Sequence, residues 1–101
     1  MPNIKFNYLY RDGANCKNYS FIIFNNPNKL SIEALLKIIK LKLIDENWFY
    51  ANQWNLPELY FSGFNPYVDP TWHEFESIEY TEEEAPEEIT LTEFISLVQT
   101  H

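Results

Sequence analysis

Asp69, His73, Glu74 and Glu76 fall within eight consecutive positions of the chain. Carboxylates and an imidazole are ligands for divalent cations, and the same groups in a cleft can act as acid and base. An extended segment limits this, because successive side chains point to opposite faces. His73 would then face away from Glu74 and Glu76, and His101 is the only other histidine. A metal-dependent small enzyme centred on Asp69, His73 and Glu76 is therefore the second reading of this cluster, not the first. Paired carboxylates of the glycosidase kind carry no signal here, because acids are so numerous that some pair is certain. Cys16 is the only cysteine, so there is no internal disulfide and no cysteine-rich metal cluster, and nothing in the spacing ties it to a histidine. Gly13 and Gly63 are the only glycines, which excludes a glycine-rich phosphate loop. We assign no catalytic residue, expect no cofactor and no resident metal, and read the chain as a non-enzyme.

The stretch from Thr71 to Glu88, TWHEFESIEYTEEEAPEE, is acidic throughout and contains no lysine or arginine. Trp72, Phe75, Ile78 and Tyr80 lie among its glutamates, so it is not a plain solvated tail. The charge is divided along the chain. Residues 1–42 hold all 7 basic residues and only Asp12 and Glu33 of the 15 acids, for a net charge of −8 overall. Such asymmetry argues for an acidic face used against something basic. The plainer alternative is that the acids keep an aromatic-rich domain soluble.

Duplex DNA carries one charge per ~1.7 Å of axis, whereas a strand with a carboxylate at every second residue places one per ~6.7 Å on a face. Mimicry of nucleic acid would need a second acidic row, which the run Glu82–Glu84 and beyond can supply. Trp72, Tyr80 and Tyr67 are the candidate anchors, since Trp and Tyr dominate interface energetics; for Trp72 core packing is the stronger alternative. The candidate partner-binding set is Tyr67, Asp69, Trp72, Glu74, Glu76, Glu79, Tyr80, Glu82, Glu83 and Glu84. Direct binding of nucleic acid by strand aromatics near Lys5, Arg11 and Lys17 is disfavoured by the net charge.

These residues need elements to hold them. One hundred and one residues allow one domain. Aromatics at 18% can fill a small core but leave some rings partly exposed. Ile4 to Arg11 alternates with a period of two, and Tyr19 to Phe24 reads as its antiparallel neighbour. Ser31 caps a helix with an apolar stripe at Ile32, Leu35, Leu36, Ile39 and Leu43. Ile38, Leu41 and Ile44 widen that stripe, which predicts cover on more than one side, and Asp45-Glu46-Asn47 ends the helix. Pro57 forbids a continuous helix through 53–57; Leu59 to Phe61 reads as a short strand and 63–66 as a turn. From Trp72 to Tyr80 neither side is cleanly apolar, so a bulge near Glu76 shifts the register, or both faces are half buried. Residues 82–88 read as a mobile acidic loop. Thr90 to Glu93 is a capping box before a last helix, with Ile89 and Phe94 as its staple. The expected fold class is α+β: a small antiparallel β-sheet with two helices packed on one face, in the order β-β-α-(β)-β-α.

No apolar run reaches the ~18–20 residues a membrane span needs, and the first residues lack a signal-peptide plan. A cytoplasmic location and no membrane partner are the corresponding expectations.

Tyr8-Leu-Tyr-Arg-Asp12, Leu43-Ile-Asp45, Trp54-Asn-Leu-Pro57 and Thr71-Trp-His-Glu-Phe-Glu76 resemble segments of a group of small bacterial proteins of unknown function. The likeness covers most of the chain, and it implies no activity.

The residues favour a small acidic inhibitor that binds a protein, with a larger basic, nucleic-acid-handling protein as its partner. A phage anti-defence protein of the anti-CRISPR-like kind and a toxin-immunity protein both fit. A housekeeping accessory domain is the remaining alternative.

Overall fold

In the computed structural model, residues 2–86 and 90–100 are described. The chain forms β1 (Asn3–Arg11), β2 (Lys17–Phe24), α1 (Ile32–Lys42), β3 (Trp48–Phe49), a 3-10 turn (Ala51–Trp54), β4 (His73–Thr81) and α2 (Leu91–Thr100). The strands make one sheet in the order β2-β1-β4-β3, every pair antiparallel. This is the expected α+β architecture.

The period-two pattern of β1 decides which face is buried. Ile4, Phe6, Tyr8 and Tyr10 are all fully buried. The first three share one core with Leu35 and Ile39 of α1 and with Leu91, Phe94 and Val98 of α2, so both helices lie on the same face of the sheet. Phe6 sits at the centre. Its ring lies 5.3 Å from that of Phe94, 5.4 Å from Phe75 and 5.8 Å from Phe49. Face and edge contacts of this kind add to the area that each ring removes from water.

The irregularity in β4 is a bulge at Glu76. Asn7 pairs with Ser77 while the next residue, Tyr8, pairs with Phe75, so Glu76 has no partner in β1. The extra residue turns the strand over once. His73 and Phe75 before it, and Ile78 and Tyr80 after it, thereby all share the face of Tyr8, Phe6 and Ile4.

Ser31 caps α1, with its Oγ accepting from the Ala34 N–H at 3.1 Å. The helix stops earlier than its apolar stripe suggests. Leu43 is already extended, and Asp45 and Glu46 take positive φ values of 49° and 65°. Ile44 pairs with Trp48 instead, through N–H···O bonds of 2.7 and 3.0 Å in the two directions. Ile38 packs against the core, but Leu41 and Ile44 are exposed, so the expected widening of the stripe is corrected at those two positions.

Residues 59–61 are not a strand. The fourth strand is β3, whose Trp48 and Phe49 pair with Glu74 and His73. The Leu56 N–H closes the 3-10 turn on the Ala51 carbonyl, and the chain beyond it crosses the sheet face, where the Tyr8 hydroxyl donates to the Pro57 carbonyl at 2.7 Å. Thr90 accepts from the Glu93 N–H at 3.2 Å, as the capping box requires. Ile89, Glu87 and Glu88, which carry part of the expected staple and acidic loop, lie outside the described residues.

Candidate functional site: an aromatic groove at the sheet end

Among the described residues, no helix covers the outer face of the sheet. There β1 presents Lys5, Asn7 and Arg11 beside Glu79, Ser77 and Glu74 of β4. The basic and acidic halves of the chain are thus neighbouring strands. Arg11 forks onto Glu74, with Nε–Oε1 at 2.8 Å and Nη2–Oε2 at 3.2 Å. Asn7 donates to Glu79 at 2.9 Å, and Lys5 reaches Glu83 at 3.4 Å. Of the three acids in β4, Glu74 is paired with a cation, Glu79 accepts from a neutral amide, and Glu76 is exposed.

At the Arg11 end of this face lies an open groove of about 570 Å³. It is lined by Arg11 and Glu74, by the Asp12-Gly13 turn, and by the loop from Pro66 to Trp72 with Trp48. Asp69 ties the turn to the loop. Its carboxylate accepts from the Gly13 N–H at 2.8 Å and from the Asn65 N–H at 2.8 Å. Those two bonds hold the Asp69 carboxyl below its usual pKa, with burial a smaller opposing influence. Gly13 is required by the closeness of the loop, because a Cβ there would stand 2.3 Å from the Val68 carbonyl oxygen. Asn65 folds the loop tip through its side-chain oxygen, which accepts from the Tyr67 N–H at 2.9 Å.

A loop held this way presents its tip. Tyr67 is 94% exposed, Val68 66% and Trp72 40%. The Trp72 ring leans on that of Trp48, with centroids 6.2 Å apart and planes at 54°.

The structure divides the ten sequence candidates. Tyr67, Asp69, Trp72 and Glu74 come together at the groove. Asp69 serves there as the clamp. Glu76 is exposed on the bulge. Glu79 and Tyr80 lie at the other end of β4, with Glu82, Glu83 and Glu84 just beyond it; Glu79 is about 23 Å from Trp72 at ~3.3 Å per residue. Tyr80 is on the helix side of the sheet, opposite Glu79, and its hydroxyl accepts from the Ile32 N–H at 3.1 Å. It therefore serves the α1 N-terminus rather than a face shared with Glu79. Glu83 also accepts from Thr81 at 3.2 Å. The sequence reading did not include Arg11, Trp48 or Gly13. The alternation of β1 already put Arg11 on the outer side, but not the strand that would meet it.

The cluster of Asp69, His73 and Glu76 does not assemble. His73 is fully buried, and its Nε2 accepts from the Leu59 N–H at 2.9 Å. Tyr10, Tyr60 and Tyr8 surround it, with ring centroids at 5.1, 5.5 and 6.1 Å. Burial pulls its pKa down to about 4. Glu76 stands outside on the bulge while Asp69 is spent on two backbone N–H groups. Among the described residues, no three His, Cys, Asp or Glu side chains meet as a metal site. No helix there is long and apolar enough to cross a membrane.

Comparison with protein-family models, with curated proteins and with solved structures finds no match to this chain.

Proposed function

We propose that this chain is a small non-enzymatic inhibitor that binds a larger basic protein, one that handles nucleic acid. Its contact surface is the groove end of the sheet. The observation that supports this reading is the exposure of Tyr67, Val68 and Trp72 on a loop pinned at Gly13 and Asn65. A rigid loop holding apolar side chains in water loses little conformational freedom on binding. Covering these side chains removes apolar surface from water, at roughly 25 cal/mol per Å², before association costs are subtracted. The net charge of −8 steers a basic partner toward it and raises the association rate. Glu76, Glu82 and Glu84 are exposed and extend the acidic surface along β4 and beyond it.

The test is capture of a protein from host lysate by the immobilised chain, with nuclease, at low and high salt. A basic protein held at low salt, released at high salt and lost when Tyr67 and Val68 are changed to Asp and Ser supports the reading. Recovery of nucleic acid alone, or capture that ignores both changes, rejects it.

A further inference from the structure

We propose that the groove takes an arginine side chain of the partner, stacked against Trp72 and Trp48; this deepens the function proposed above and rests on it. Around the groove stand one cation, Arg11, and three carboxylates, Asp12, Asp69 and Glu74. Arg11 has turned its fork onto Glu74 and its Nη1 onto Asn15, so an anion entering the groove would have to displace those partners. Asp12 and Asp69 are fixed by backbone donors: Ala14 and Cys16 for the first, Gly13 and Asn65 for the second. An ionised carboxylate has lone pairs beyond those two bonds. The remaining excess of two negative charges favours a cationic occupant.

The walls decide which cation. Indoles are the best aromatic partners for a cation, and a guanidinium is flat, weakly hydrated and able to stack on a ring while donating from its edge. An ammonium is more strongly hydrated and loses more on leaving water. The same outer face already uses this contact internally, with Lys5 Nζ lying 4.2 Å from the Phe21 ring centroid.

The probe is a hexa-arginine peptide, with hexa-citrulline of the same length as the uncharged control. Binding is followed by the indole N–H resonances of the intact chain, which needs no variant. Trp54 is buried and serves as the internal reference. The expected result is a shift of the Trp48 and Trp72 signals with arginine only, weakened about tenfold in Trp72→Leu, a factor in keeping with loss of one such contact. Equal binding of the citrulline peptide overturns the proposal. So does an arginine peptide that binds without moving the Trp48 and Trp72 signals, which would show general attraction to acids elsewhere. The two readings fail separately. If Trp72→Leu captures the protein partner as well as the parent chain does, the arginine site is wrong and the inhibitor stands. If the indoles respond to the arginine peptide but no partner is captured, the site stands and the inhibitor reading falls.

Discussion

The backbone N–H of Leu59 donates to Nε2 of His73 at 2.9 Å, inside a shell of tyrosine rings. That bond requires an unprotonated Nε2, so the proton of the neutral ring is on Nδ1. Nδ1 has no hydrogen-bond partner among the described residues. A protonated ring would place two donors face to face in a buried site. The folded pKa is about 4, against 6.5 for the free side chain. The unfolded chain therefore binds a proton that the folded chain refuses. Stability is complete above pH 6.5 and falls as the pH drops toward 4. Between pH 7 and pH 5 the loss is about 2 kcal/mol, readable by urea unfolding. His73→Gln, whose side-chain oxygen can still accept from Leu59, is expected to flatten this dependence. A stability that does not change between pH 7 and pH 5 in the parent chain refutes the assignment.

Gly13→Ala would drive the new Cβ into the Val68 carbonyl oxygen, so the loop must move. The cost is expected to be about 1–3 kcal/mol, in the range for an added methyl group where there is no room. Thermal unfolding checks it. Binding of the protein partner should weaken in the same variant, because the loop carrying Tyr67 moves.

Asp69→Asn keeps the shape but loses the charge on the clamp. Amide hydrogen exchange at Gly13 and Asn65 is expected to speed up, while core amides such as those of Phe6 and Tyr8 keep their protection. Uniform loss of protection would mean that the clamp supports the whole fold and not only the groove.

Tyr80→Phe removes the acceptor for the Ile32 N–H and nothing else. The expected cost is roughly 0.5–1.5 kcal/mol, seen as fraying at the start of α1, with partner capture unchanged. Loss of capture without loss of stability would return Tyr80 to the binding surface.

Phe6→Ala empties the centre of the aromatic core. A loss of about 3–5 kcal/mol is expected, measured by denaturant titration, and it is large enough to leave a domain of this size marginally folded.

By itself the sequence determined the elements with strong periodicity and good caps. The alternation of Ile4, Phe6, Tyr8 and Tyr10 marks a strand and its buried face, because side chains in a strand can only alternate. Ser31 and Thr90 mark the two helix starts, because their hydroxyls satisfy N–H groups that a helix leaves open. The broken pattern around Glu76 marks a break in alternation, which a bulge or a strand half buried on both faces would equally explain; the register with β1 decides for the bulge.

The tertiary structure alone decided the pairings. Nothing local in β4 says that Glu74 meets Arg11, 63 residues away, so an acid that reads as part of an exposed face is paired with the neighbouring strand. The apolar stripe of α1 could not show where the helix ends, because Ile44 gives its backbone bonds to Trp48. The groove was legible only in fragments. Tyr67, Trp72 and Glu74 stood out by type, but Trp48, Arg11 and Gly13 reach the same place from other elements. A site built from separate strands and loops depends on loop closure and strand register, and those are fixed when the whole core packs.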